Sequence, residues 1–166
     1  MCNSYFDVSG FLGQERRQNW SESAMVEPFN NSFENYPGYK LKIASTFVIS
    51  DLSKAIAPFG LTVTEATILL FVDGNPGCLQ AELGKTLRMA SANLTPLASK
   101  LEARELIRRE PIDGRSNGLH LTKTGRSLTR DVNKVMVDFE AQVIAKIPDH
   151  LRDPFLEALD YLIPAK

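Results

Sequence analysis

Side chains suited to binding nucleic acid are concentrated between residues 91 and 117. In the segment 91–100, Asn93 is the best candidate for reading a base, because a side-chain amide can pair bidentately with adenine. Serine and threonine hydroxyls more often bind phosphates. The residues of this segment that could enter a DNA groove are Ser91, Asn93, Thr95, Pro96, Ser99 and Lys100. Helix capping is the alternative role for Asn93 and Thr95.

A second set of candidates surrounds the turn at residues 113–118. Arg115 would stand at the tip of this turn, and an inserted guanidinium suits a narrow minor groove. Asp113 and Gly114 are also explained by turn formation alone. Arg108 and Arg109 alternate along a β-compatible segment, so we expect one to face DNA and the other to pair with an acid. The candidate contacts here are Arg108, Arg109, Asp113, Arg115, Ser116 and Asn117.

The charge of the chain is unevenly distributed. Over the whole sequence, 19 lysines and arginines stand against 20 acidic residues, giving a net charge of -1. Taken globally, this balance argues against a nucleic-acid-binding protein. Residues 81–130, however, hold ten basic and five acidic residues, a net charge of +5, and the remainder carries -6. This distribution is typical of a local phosphate-binding face whose affinity falls steeply with salt.

Composition and motifs exclude several classes of protein. The 166 residues, 43% of them hydrophobic, are enough for one domain with a core. Cys2 and Cys78 are too far apart in sequence to indicate a disulfide framework or a metal pair, which favours a reducing compartment. The histidines, His120 and His150, belong to no metal-binding cluster, and His120 is expected to be exposed on the hairpin. No motif for a nucleophile elbow, phosphate-binding loop, dinucleotide fold or zinc site is present, so we expect no catalytic residue, cofactor or metal.

The sequence also lacks targeting signals. Its first 20 residues contain no apolar run after a basic start, and no stretch approaches the roughly 18 apolar residues of a membrane span. We therefore expect a cytoplasmic protein, associated with the nucleoid, that has no membrane partner.

Apolar periodicity predicts four helices before residue 107. The first spans Tyr39 to Ala57 and is ended by Pro58 and Gly60. Thr62 and Glu65 form a predicted capping box at the start of the second. Leucines at four-residue steps mark a third helix and, after a short turn, a fourth. The leucines of these two helices are Leu79, Leu83 and Leu87, then Leu94, Leu97, Leu101 and, as a further candidate, Leu106.

The rest of the chain predicts a two-stranded hairpin and two more helices. Residues 107–112 and 119–121 are β-compatible, and Pro111 should occupy an edge position. Thr122 is the expected cap of a long helix that Pro148 ends, and Asp149 the expected cap of the last helix. The order of elements predicts a mainly α protein with a small β-hairpin wing (α+β), in which a winged helix-turn-helix is flanked by helices.

These elements suggest a domain organisation. Residues 1–36 are interpreted as an arm, either flexible or packed on a partner subunit through Trp20, Phe29 or Phe33. Residues 37–166 form the compact domain, with the winged helix at about 61–122. The flanking helices, about 39–58 and 123–163, have broad apolar faces that predict a homodimer. Such a dimer would present its recognition helices roughly 34–36 Å apart to a pseudo-palindromic DNA duplex.

Several motifs resemble those of the MarR family of transcription regulators. Leu61-Thr62 with Glu65 is one, and Asn93-Leu94-Thr95-Pro96-Leu97 is another. The strongest is the wing, where Asp113-Gly114-Arg115 is followed by Leu119-x-Leu121-Thr122-x-x-Gly125. The resemblance covers about residues 39–163.

The chain departs from the family pattern around its third and fourth helices. Arg88 replaces a glycine, Ala90 replaces a capping serine or aspartate, and Gly84 replaces an alanine. We therefore expect Ser91 or Asn93 to cap the fourth helix. If Asn93 caps, Pro96 falls in the first turn, where no hydrogen bond is lost.

The resemblance implies a winged-helix regulator, with Asp113 holding Arg115 in place. It further implies a repressor that binds a double-stranded operator as a homodimer and is released by a small aromatic or phenolic acid, or its coenzyme A thioester. The effector site would lie between the dimerisation helices and the DNA-binding lobe. Its candidate residues are Phe47, Ser50, Lys54, Ile68 and Phe71. Core packing is the alternative for Phe47 and Phe71.

Two alternative functions are open at the level of the sequence. The first is a thiol-based redox regulator of the same fold, which needs an exposed, reactive cysteine. The peroxide-sensing branch carries its cysteine at the start of the first helix, where this chain has Lys40-Leu41-Lys42-Ile43, and Cys78 is expected to be a small buried hydrophobe. The second is a non-catalytic winged-helix module that binds only proteins.

Overall fold

The computed structural model describes residues 32–112 and 116–163. The predicted arm therefore lies outside the described residues except for residues 32–36, of which 32–35 form a turn. The elements are α1 (Pro37–Ile56), α2 (Val63–Gly74), β1 (Cys78–Leu79), α3 (Gln80–Thr86), α4 (Ser91–Ala103), β2 (Ile107–Pro111), β3 (Asn117–Leu121), α5 (Lys123–Ala145) and α6 (Asp149–Leu162). The predicted mainly α fold with a small antiparallel sheet is confirmed.

The junction of α1 and α2 follows the sequence signals. α1 buries Leu52 and Ile56 and ends in a 3-10 turn, after which Gly60 takes a left-handed φ of 65°. The predicted capping box then starts α2. The Glu65 amide donates to Thr62 Oγ1 at 3.2 Å, and the Thr62 amide donates to Glu65 Oε2 at 2.8 Å.

The sheet has three strands in the order β1-β3-β2; the predicted hairpin is present as β2 and β3, and β1 is an additional strand that the sequence did not predict. Cys78 and Leu79 form the extra strand by pairing with Leu119 and Gly118. The two-residue strand has no periodicity of its own and exists because β3 offers it a free edge. Pro111 lies on the outer strand β2, as predicted, where its missing N–H costs no ladder hydrogen bond.

The start of α4 differs from the prediction. Ala90 is the N-cap residue, with extended backbone and no side-chain cap, and its carbonyl accepts from the amides of Asn93 and Leu94. Ser91 and Asn93 are therefore first-turn residues and neither caps the helix. Pro96 consequently lies inside α4 rather than in its first turn, so the hydrogen bond that an N–H at this position would make is absent.

The end of α4 and the start of α6 also differ. α4 ends at Ala103 because Glu105 takes a left-handed φ of 54°, and the Leu106 amide closes the end by donating to the Leu101 carbonyl at 3.0 Å. Leu106 is thus buried beyond the helix. α6 has Pro148, not Asp149, at its N-cap, and Asp149 is its first helical residue.

α5 is anchored where it meets the sheet. The Thr122 hydroxyl accepts from the Gly125 amide at 2.9 Å, which confirms the predicted cap, and donates to the Glu105 carbonyl at 2.6 Å. A Cβ at position 125 would overlap the carbonyl of Leu106. The glycine of the Leu-Thr-x-x-Gly motif is therefore required by close approach of two backbones.

The core joins the helices α1 to α5 and the sheet, and α6 lies outside it. Fully buried core residues include Ile68, Leu69, Leu83, Leu94, Leu101, Ile107, Leu119 and Val132. α6 buries none of its residues, and it is tied to α5 through Arg152, whose Nε donates to the Ile144 carbonyl of α5 at 3.2 Å and to the Ile147 carbonyl just after α5 at 3.0 Å. Within the described ranges, no single helix is long and apolar enough to cross a membrane, and α1 and α2 meet those criteria only as a pair bent by 73°.

Candidate nucleic-acid interface

Helix α4 has one buried face and one exposed face. Leu94, Ala98 and Leu101 are buried against the rest of the winged helix. Every predicted contact on this helix is exposed. These residues are Ser91, Asn93, Thr95, Pro96, Ser99 and Lys100. The exposed face thus carries an amide, hydroxyls and one ammonium group.

The turn between α3 and α4 is tight and contains a strained residue. Arg88 takes a left-handed φ of 50°, which explains why a glycine at this position suits the family pattern. The Met89 amide donates to the Gly84 carbonyl at 2.9 Å, closing the end of α3. A Cβ at position 84 would lie 3.1 Å from the Met89 carbonyl oxygen. The absence of a side chain at Gly84 therefore lets the backbone of the turn pack closely against α3.

The Thr95 hydroxyl is engaged by the protein. It donates to the Ser91 carbonyl at 2.9 Å and accepts from Gln80 Nε2 at 2.8 Å. Gln80 is the first residue of α3, so this hydrogen bond ties the N-terminal half of α4 to α3. Sequence reasoning identified Thr95 but not Gln80, because a contact between residues 15 positions apart leaves no local pattern.

Lys100 forms an ion pair with the start of α2. Its Nζ lies 2.7 Å from Oε1 of Glu65, a carboxylate with 0% exposure, while the lysine side chain stays 56% exposed. Burial raises the pKa of Glu65, but hydrogen bonds from Lys100 and Thr62 outweigh that effect and leave the pKa below its usual range. The carboxylate is therefore charged at neutral pH.

Both arginines of β2 pair with acids. Arg108 Nη1 lies 2.8 Å from Glu110, two residues along the same face of the strand, and Arg109 Nε lies 3.0 Å from Glu102 on α4. The expected pairing with an acid is made by both arginines, while which of them faces DNA stays a prediction. His120 Nε2 lies 3.3 Å from Glu110; the prediction that His120 is exposed is wrong, because its side chain is half-buried at 26% exposure.

The tip of the wing is only partly described. Asp113 and Arg115, predicted as an ion pair at the minor groove, lie outside the described residues. Ser116 is half-buried, and its carbonyl accepts from the Ile112 amide at 2.9 Å. Asn117 is exposed and begins β3.

The five predicted effector residues lie in different environments, and their grouping into one site stays a prediction. Ile68 is fully buried in the core, and Phe71 packs partly buried against it. Phe47 is 60% exposed, so the alternative of core packing is wrong for that residue. Ser50 is exposed, and Lys54 forms a surface ion pair with Asp51 at 2.8 Å.

An apolar groove lies between the N-terminal part of α1 and the C-terminal part of α6. Its volume is about 480 Å³, and its walls include Leu41, Ala44, Phe155, Leu159 and Leu162. None of the five predicted effector residues lines it. The sequence signal for this groove was the breadth of the apolar faces on the flanking helices.

The described cysteine is poorly suited to redox sensing. Cys78 is buried, and burial, with a smaller contribution from Glu82, raises the pKa of its thiol. A thiol in this setting stays protonated and reacts slowly. Cys2 lies outside the described residues. In the part of the chain that the structure describes, no group of three or more His, Cys, Asp or Glu residues is arranged to hold a metal ion.

Comparisons with known proteins agree with the geometry. A sequence model of the MarR family matches residues 59–116. The chain is 28% identical over 127 residues to the HTH-type transcriptional repressor Rv2887 of Mycobacterium tuberculosis, covering 75% of this chain and 91% of that protein.

Solved structures extend the similarity to most of the chain. The transcriptional repressor CouR bound to a 23-mer DNA duplex is 31% identical, with a TM-score of 0.74, over 82% of this chain and 99% of that one. Rv2887 in complex with salicylic acid is 27% identical, with a TM-score of 0.62, over 76% and 96% of the two chains. The chain belongs to the MarR family of winged-helix transcription regulators.

Proposed function

We propose that this protein is a repressor that binds a pseudo-palindromic DNA operator as a homodimer and is released by a small aromatic acid or its coenzyme A thioester. The observation that carries the proposal is the exposed polar face of α4, held on a rigid helix-turn-helix. In this proposal, residues of about 61–122 bind DNA, the flanking helices at about 39–58 and 123–163 form the dimer, and residues 1–36 are an arm.

Base reading is assigned to the N-terminal half of α4. Asn93 is exposed and lies in the first turn, where recognition helices contact base edges, and its amide suits adenine. Ser91 and Ser99 are exposed on the same helix and can bind phosphates. The net charge of +5 over residues 81–130 supplies attraction to the DNA backbone.

Small-molecule release is inferred from relatives. CouR has been solved bound to p-coumaroyl-CoA, at 28% identity and a TM-score of 0.73 to this chain, and Rv2887 with salicylic acid. An effector would release the operator only by binding more tightly to a conformation that DNA disfavours. A redox trigger at Cys78 is less well supported because its thiol is buried.

Fluorescence anisotropy on the upstream promoter fragment tests this function. The protein should bind that fragment more tightly than random DNA, and one member of a panel of aromatic acids and their coenzyme A thioesters should release it. Asn93→Ala should lose about 1–3 kcal/mol on the operator and little on random DNA. Equal losses on both would remove Asn93 as a base reader, and no binding to any fragment would favour a protein-interaction module.

A further inference from the structure

We propose that Lys100 is a positioning residue, which fixes the orientation of α4 through its ion pair with Glu65 and does not neutralise a DNA phosphate. This inference rests on the proposed DNA-binding function. It assigns a role to an exposed lysine on the helix that carries the predicted base readers.

The first argument is that both oxygens of Glu65 already have partners. Oε2 accepts from the amide of Thr62 at 2.8 Å and from its hydroxyl at 3.1 Å. Oε1 has the Lys100 ammonium at 2.7 Å. Movement of Lys100 to a phosphate would leave Oε1 without its cation.

The second argument is the cost of such a movement. Glu65 has 0% exposure with Lys100 in place, so its carboxylate relies on this ammonium group rather than on water to stabilise its charge. A buried carboxylate that loses its only cation is strongly disfavoured. A solvent-exposed contact with a phosphate would stabilise Lys100 less than this ion pair does, because salt screens the phosphate charge. The balance therefore keeps Lys100 on Glu65.

A second cation, at the C-cap of α4, also binds the segment before α2. Arg104, one turn after Lys100, donates from Nη1 to the Gly60 carbonyl at 2.8 Å and from Nη2 to the Phe59 carbonyl at 3.5 Å. Both side chains thus fasten the C-terminal half of α4 to residues 59–65. The Gln80–Thr95 hydrogen bond fastens the N-terminal half to α3. Helix α4 is tied at both halves, which fixes the direction in which Asn93 points.

This role makes a specific prediction about salt dependence. A phosphate contact contributes close to one unit to the slope of log affinity against log salt concentration. A positioning residue contributes nothing to that slope, because no counterion is released when it acts. Lys100→Met should therefore weaken operator binding by about tenfold and leave the slope unchanged.

Glu65→Gln provides the second half of the experiment. Glutamine preserves the capping box but removes the buried charge. The double variant Lys100→Met/Glu65→Gln leaves no carboxylate without a cation, so it should bind the operator more tightly than Lys100→Met alone. Urea denaturation should show the same pattern in the free energy of unfolding: the double variant should be more stable than Lys100→Met alone, so the effects of the two substitutions are not additive. Lys134→Met, which removes an exposed lysine of α5, is the matched control and should change neither measurement.

The outcomes are distinguishable. A slope that falls by about one unit in Lys100→Met, with no recovery in the double variant, would show a phosphate contact and overturn this inference alone. If Lys100→Met is too unstable to assay, the slope of the double variant decides, and an unchanged slope supports the positioning role. Failure of the unaltered protein to bind DNA would instead overturn the proposed function.

Discussion

At the scale of single residues, Arg88 is a position where the chain tolerates strain. It takes a left-handed φ of 50° at the end of α3, a region that costs a residue with a Cβ about 1–2 kcal/mol. The motif around it nevertheless closes normally, with the Arg88 amide donating to the Lys85 carbonyl at 3.3 Å. The strain is thus local to one backbone dihedral.

Arg88→Gly should therefore stabilise the fold by about 0.5–1 kcal/mol. The gain is smaller than the strain, because glycine also increases the entropy of the unfolded chain. Urea denaturation measures this difference. Arg126→Gly is the matched control, since Arg126 lies inside helix α5, and it should destabilise by about 1 kcal/mol. A loss of stability in both variants would mean that the left-handed φ is not costly here.

At the scale of elements, the sequence predicted those helices and caps that are stabilised by interactions between residues close together in the chain. The periodicity of α1 and the capping box of α2 depend on residues within four positions of each other, so the sequence contains the whole signal. β1 was missed because Cys78 and Leu79 become a strand only beside β3. The starts of α4 and α6 were misplaced because Ala90 and Pro148 cap through their backbones, which no side-chain pattern reveals.

The candidate interface also contains features that the sequence predicted and features that it did not. The exposed face of α4 was predictable, since apolar residues at helical spacing define the opposite face. The partners of its polar residues were not, because Gln80 and Glu65 are 15 and 35 positions from Thr95 and Lys100. A charged residue in a predicted DNA-binding segment can thus form an ion pair within the protein instead of binding a phosphate. Composition alone cannot distinguish these two roles.

The junction of α2 and α4 should make stability depend on pH. The folded-state pKa of Glu65 lies below its usual range, so the unfolded chain binds more protons as the pH falls. The stabilisation is therefore fully present above the usual carboxyl pKa of about 4.3 and is lost as the pH falls through the lower folded value. Glu65→Gln should flatten the curve of unfolding free energy between neutral and acidic pH.

Asp51→Asn serves as the comparison for that measurement. The Lys54 hydrogen bond also lowers the pKa of Asp51, but this carboxylate is on the surface of α1, where solvent screens the pair. Its removal should leave the pH curve nearly unchanged. If Glu65→Gln followed the same curve as the unaltered protein, Lys100 would not stabilise the charged form of Glu65.

At the scale of the whole molecule, an exposed apolar surface belongs to α1 and α6, which carry none of the predicted DNA contacts. α6 buries none of its residues, and Leu162 on its last turn is 65% exposed. Together with Leu41 and Phe155 it borders the groove between α1 and α6. An apolar surface this extensive is typical of an interface, and the predicted occupant is the same surface of a second copy.

Leu162→Asp should therefore convert the predicted dimer into a monomer. A carboxylate in the groove would have to be desolvated on association, and in a two-fold dimer the cost arises twice. Size-exclusion chromatography with light scattering measures the mass directly. Operator affinity should fall by at least about tenfold, since each monomer then holds one half-site alone.

Ile112→Asp, which adds the same charge at an exposed apolar residue beyond β2, should leave the mass unchanged. A monomeric unaltered protein, or a Leu162→Asp variant that keeps the dimer mass, would place the interface elsewhere and leave the apolar groove to another ligand.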